Sequence, residues 1–157
     1  MAKSSTLIIG LGNPILGDDG VGWIISKKLS ILLSSRDDLE FDFLSLGGLS
    51  LMERLEGYER VLIIDAICSK SQEKGTIHQF KLNDLPVRST GHTISAHDTD
   101  LRTAMQVGRS MNLNLPDDNN IIIVGIETDN SYEFSEDLSS EVSNTIPAVI
   151  ELCKTLV

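Results

Sequence analysis

Leu7-Ile8-Ile9-Gly10-Leu11-Gly12-Asn13-Pro14-Ile15-Leu16-Gly17-Asp18-Asp19-Gly20 decides the fold of this chain. A short run of branched apolar residues feeds a glycine-rich loop, and a helical pattern begins at the end of that loop. A buried strand that turns sharply at its C-terminal end into a helix reads this way. Dinucleotide-binding proteins place a third glycine nearby, where this chain has Asp18 and Asp19. Two carboxylates at a helix N-terminus would repel a pyrophosphate, because that end is where anions are normally held. They suit a cation better.

Outward from this stretch, strand and helix patterns alternate. Strand patterns cover Ser5–Gly10, Phe41–Leu46, Val61–Asp65, Thr76–Phe80 and Ile121–Gly125. Helical patterns cover Gly20–Leu33, Leu49–Leu55 and Ser95–Ser110, with a last one running to the C-terminus. In the first helix Val21, Ile24, Ile25, Leu29 and Leu32 share one face. In the last, Val142, Ile146, Val149, Ile150 and Cys153 do, and Pro147 either kinks the helix or marks its true first turn. The all-apolar Val61–Ile64 predicts a strand buried on both faces. The fold class is α/β, a single-domain three-layer sandwich over 1–157. Its mostly parallel twisted sheet of about five strands carries helices on both faces.

Composition bounds what the chain does. At 157 residues, 41% hydrophobic and 23% charged, it has the makeup of one globular domain. No apolar run reaches the roughly 18–20 residues of a membrane span. Met-Ala-Lys-Ser-Ser does not read as a signal peptide, so the expectation is a cytoplasmic protein. A net charge of −10 argues against nucleic acid and anionic membrane as partners. Cys68 and Cys153 form neither a disulfide framework nor a close-spaced metal-ligand pair.

The architecture locates the chemistry, since open α/β sheets bind ligands beyond the carboxyl ends of their strands. Asp19 follows the first strand and Asp65 closes the third. With the common order 2-1-3 both overhang one crevice. Each has a plainer reading: Asp18 or Asp19 as a cap of the helix that follows, and Asp65 as a polar stop to a buried strand. Gly10, Gly12 and Gly17 serve as turn formers whatever the function. Among the three histidines, His78 is expected at a surface or edge and His92 in a solvent-exposed loop. Ser95-Ala96-His97-Asp98 has capping-box spacing, which places His97 in a first helical turn. There the helix dipole favours the neutral ring, able to bind a metal or accept a proton. The alternative is an exposed first-turn histidine. Two carboxylates and one neutral imidazole make an open three-ligand set for a divalent transition metal.

Taken in order, several blocks resemble the nickel–iron hydrogenase maturation endopeptidases. They are Gly10-Leu11-Gly12-Asn13 with Asp18-Asp19-Gly20-Val21-Gly22, then Gly47-Gly48, then Gly57 to Ala66, then His97 with Leu101. The resemblance implies an enzyme that removes the C-terminal extension from the precursor of the hydrogenase large subunit after nickel insertion. It implies Asp19, Asp65 and His97 as the positions that contact the metal and carry catalysis. Asp18, Gly10, Gly12, Asn13, Gly47 and Gly48 are then supporting residues. The nickel belongs to the precursor. No permanently bound cofactor is implied, although other divalent ions fit the same site, and the expected state is a monomer.

The loop at the double glycine departs from the family pattern: Leu46 stands where relatives often have an acid, and Leu49 where they often have Thr. That bears on how the loop meets its substrate. Two other functions compete. One is a non-catalytic nickel- or precursor-binding chaperone with the same three ligands. The other is a peptidyl-tRNA hydrolase-like enzyme, suggested by the Gly-Leu-Gly-Asn-Pro turn at Gly10–Pro14. That second family needs a basic surface and a catalytic histidine segment where this chain has Asp18-Asp19-Gly20. No nucleophile elbow and no His-Glu-x-x-His helix is present. Cys68 has no activating neighbour in the sequence.

Overall fold

Strand β1 (Thr6–Leu11) is buried along its whole length, as expected of an apolar run flanked on both sides by other strands. It pairs in parallel with β2 (Leu39–Leu44) and with β3 (Arg60–Ile67). The computed structural model describes residues 5–84, 96–129 and 133–157, with the side chains of 96–100 outside that description. Beyond β3 lie β5 (Ile121–Glu127), parallel, and β4 (Ile77–Lys81), antiparallel at the edge, giving the order β2-β1-β3-β5-β4. The expected 2-1-3 arrangement is present, and only the edge strand breaks the parallel pattern.

The two sheet faces carry separate cores. Leu7, Ile9, Leu11, Val61 and Ile63 point to one face, where α2 (Gly48–Leu55) and α3 (Ala96–Ser110) supply Leu51, Met52, Leu55, Leu101, Ala104 and Met105. Ile8, Leu62, Ile64, Val124 and Ile126 point to the other. There α1 (Val21–Leu32), α4 (Ser140–Ser143) and α5 (Ile146–Leu156) supply Val21, Ile25, Leu29, Val142, Val149, Ile150 and Cys153. This is the three-layer sandwich, and the strict alternation along β1 and β3 is its cause.

Some boundaries differ from the sequence reading. The C-terminal helical pattern is two helices, and Pro147 sits in the first turn of α5, where its missing N–H costs nothing. Leu32 is exposed, not packed; the stripe of Val21, Ile25 and Leu29 continues instead to Leu33, beyond the helix end. Strand β3 runs two residues past Asp65, to Ile67, and β5 runs past Gly125, to Glu127. Among the described residues no helix is long and apolar enough to cross a membrane.

Candidate active site

Asp65 and Asp19 come to the same end of the sheet by different routes. Asp65 lies inside β3, paired with Gly125 of β5, and is only 1% exposed. It therefore does not stop the strand, as the plainer reading had it. By strand alternation it shares the face of Val61 and Ile63, the face covered by α2 and α3. Asp19 arrives from the loop after β1. A 3₁₀ turn, Gly17–Gly20, leads into α1, and the Asp19 carboxylate accepts the Asn13 amide N–H at 2.8 Å. Asp19 is thus a brace across its own loop. No side chain caps the 3₁₀ turn or α1, so the helix-cap reading of Asp18 and Asp19 is corrected.

Glycines make this geometry possible. Gly12 has φ +130°, and a Cβ there would stand 2.1 Å from the Asp19 carbonyl oxygen. At Gly10 a Cβ would meet the Gly22 carbonyl oxygen at 2.5 Å, so helix and strand backbones touch directly. The supporting residues continue around the rim. The Gly12 N–H donates to the Leu44 carbonyl at 3.0 Å, and Ser45 Oγ donates to the Gly12 carbonyl at 2.6 Å. Gly47 precedes α2, and Gly48 opens it at φ +56°. The loop after β2 is in this way tied to the loop after β1.

Asp18 has a different task. Its carboxylate accepts from the Ser139 amide at 2.7 Å and the Ser139 hydroxyl at 2.8 Å, and it pairs with Lys74 Nζ at 3.0 Å. Asp18, then Asp129, hold the Lys74 ammonium above its usual range. This knot clamps the start of α4 and the loop after β3 onto the 3₁₀ turn that carries Asp19. Asp18 acts in the fold as this clamp.

His97 lies in the first turn of α3, on the face of the sheet shared with Asp65. Its side chain, like Ser95 of the expected capping box and the whole loop of His92, lies outside the described residues. Among the described residues no three ligand-type side chains group as a metal site. Asp19 and Asp65 thus lie at the same end of the sheet, and the backbone of His97 lies on the face of Asp65.

Sequence reasoning missed Glu127. It is buried at 1% exposure and accepts from the Ser69 amide at 2.9 Å and the Ser69 hydroxyl at 2.8 Å, with His78 Nε2 at 3.1 Å. His78 is on the edge strand as expected, but its ring is turned in to this carboxylate. The signal that would have found Glu127 is the one that found Asp65, an acid at the end of an apolar strand. Glu127 fixes the loop that follows Asp65, and Cys68 sits on that loop, half-buried. Burial pushes the other thiol, Cys153, up to about 12, so it is no nucleophile. Glu127→Ala is expected to cost about 2–3 kcal/mol, because it strands the Ser69 amide as well as removing charge-assisted bonds. Urea unfolding checks this; a loss below roughly half a kcal/mol would show that water replaces the carboxylate.

Residues 44–155 match the family model HycI, described as hydrogenase maturation protease. A Methanocaldococcus jannaschii protein carrying the name of a hydrogenase maturation protease is 26% identical, covering 97% of this chain and 96% of its own. Among solved structures, the hydrogenase maturating endopeptidase HybD of E. coli superposes with a TM-score of 0.73 at 22% identity, covering 94% of this chain and 88% of its own. HybD of Thermococcus kodakarensis, a nickel–iron hydrogenase maturation protease, gives 0.65 at 24% identity, covering 96% and 97%. At these identities the structural likeness speaks for the fold.

Proposed function

Because this chain belongs to the hydrogenase maturation protease family, and so is a peptidase, we propose that it removes the C-terminal extension of a nickel–iron hydrogenase large-subunit precursor once nickel is in place. The observation that carries this reading is the placement of Asp65. A carboxylate 1% exposed, at the carboxyl end of a parallel strand, is an expensive choice for stability alone. It is a sensible one for chemistry.

Asp19, Asp65 and His97 are the residues we assign to the reaction. The nickel arrives in the precursor as part of the substrate and serves as the recognition element. Asp19 is pre-oriented by the Asn13 amide, so its free carboxylate oxygen is aimed without further ordering. Asp65, in a low-dielectric position, is suited to take a proton from the attacking water as general base. His97 at a helix start is favoured as a neutral ring. The acidic chain works as a monomer in the cytoplasm on this reading.

The test is a gel-shift assay of nickel-loaded against nickel-free large-subunit precursor. Shortening of the nickel-loaded form alone is the expected result. Shortening of both forms would remove nickel from recognition while leaving the peptidase. A stable complex with no shortening would replace the proposal with the chaperone reading.

A further inference from the structure

Eight large apolar side chains stand exposed among the described residues, and they fall into two groups. Ile31 and Leu32 end α1, and Val107 and Met111 lie at the end of α3, all remote from the carboxyl edge of the sheet. The other four are on that edge. Ile15 (47% exposed) is in the loop after β1, Leu46 (37%) and Leu49 (54%) flank the double glycine after β2, and Phe134 (85%) precedes α4. Singly exposed apolar residues need no explanation, but a set of them around one site does.

These four are presented by interlocked backbone. The Ser135 N–H donates to the Ile15 carbonyl at 3.0 Å, and the Gly17 N–H donates back to the Ser135 carbonyl at 2.7 Å. Phe134 is therefore held out on a paired segment. Ser45 Oγ on the Gly12 carbonyl ties the Leu46 loop to the same loop as Ile15. The rim runs from Leu49 and Leu46, past Asn13 and Asp19, to Ile15 and Phe134.

Charge says what covers it. Glu133, Glu136 and Asp137 surround Phe134 and are all exposed. Lys74, a cation on the neighbouring loop, is already paired with Asp18 and Asp129. The chain carries a net charge of −10. We propose that this rim docks a basic, apolar-bearing segment of the client polypeptide beside the scissile bond, with Leu46, Leu49, Ile15 and Phe134 as specificity-determining residues. The identification of the occupant as the client rests on the endopeptidase reading. Apolar side chains fill the rim and flanking Lys or Arg residues face the acidic loop, a division of labour usual at interfaces.

The experiment is fluorescence anisotropy with a short labelled peptide alternating Leu and Lys, against its Glu-for-Lys and Ser-for-Leu counterparts. The whole protein is compared with a Leu46→Ser, Phe134→Ser double variant and with an Ile31→Ser, Met111→Ser double variant at the opposite end. The expected result is binding of the Leu–Lys peptide alone, about tenfold or more weaker in the rim variant and unchanged in the distal one. Equal effects of the two variants, no effect of either, or equally tight binding of the Glu peptide would overturn the proposal. So would self-association of the wild type, lost in the rim variant on sedimentation, which would make the occupant a second copy. Cleavage of nickel-loaded precursor is followed in parallel, where the rim variant raises KM at unchanged kcat. If the wild type cleaves nothing, the endopeptidase reading fails while the anisotropy result still decides the rim.

Discussion

Asp65→Asn is expected to slow removal of the C-terminal extension by about 10³-fold or more while leaving the melting temperature within a few degrees of wild type. The size follows from losing a general base, worth about 10²–10⁴ in rate, and 10³ corresponds to roughly 4 kcal/mol of barrier. The amide keeps the shape and removes the charge. Asp65 lies between Ile64 and Ala66 within β3, opposite Gly125 of β5, and an amide of the same shape can still donate and accept hydrogen bonds there. The neutral amide also escapes the desolvation cost of a buried carboxylate, which offsets the interactions that the charge makes. A purely structural Asp65 would show the reverse, a lower melting temperature with rate preserved. Turnover of nickel-loaded precursor, measured beside a thermal melt, separates the two. Processing at the wild-type rate would remove Asp65 from the mechanism.

How much of this was legible beforehand depends on distance along the chain. The strands β1 and β3 follow from unbroken apolar runs, and the crevice follows from the order those runs imply. Asp19 and its brace to Asn13 are six residues apart, within one loop, and so within reach of pattern. Asp18 and Ser139 are 121 residues apart, and nothing local in either stretch announces the other. The same holds for Ser69 and Glu127, 58 apart, whose bond appears only once β3 and β5 are neighbours. Glu127 is hidden further because the strand pattern reads only to Gly125, where a glycine usually weakens a strand. In the fold Gly125 is a packing device: a Cβ there would stand 2.8 Å from Ile67 Cδ1. The antiparallel direction of β4 also escapes pattern reading, since its half-buried alternation fits an edge strand running either way.

Gly22→Ala should be among the most destabilising single-methyl additions the chain can receive. A Cβ at Gly22 would lie 2.2 Å from the Ile64 carbonyl oxygen and 2.6 Å from the Leu11 carbonyl oxygen. Both are backbone atoms of central strands, so neither can swing away as a side chain would, and α1 must lift from the sheet by a large fraction of an ångström. Overpacking of a core costs about 1–3 kcal/mol where side chains can adjust. Here nothing adjusts, and we expect about 3 kcal/mol or more, a fall of roughly 6–12 °C in Tm for a chain of this size. Helix propensity pulls the other way by at most about 1 kcal/mol. Gly108→Ala provides the contrast. Its Cβ would meet Leu115 Cδ1 at 2.6 Å and Met52 Sδ at 2.8 Å, both flexible side-chain atoms, and α3 gains an alanine in its interior. That variant should melt within a few degrees of wild type. Lifting α1 also displaces the 3₁₀ turn that carries Asp19, so Gly22→Ala, assayed where it is still folded, should lose about 10²-fold in processing, the usual penalty for an ångström of misplacement. Equal melting of the two alanine variants would show that the helix is not seated on the strand carbonyls. Low stability with full activity would show that Asp19 need not be held where the Gly10–Gly22 and Gly12–Asp19 contacts hold it.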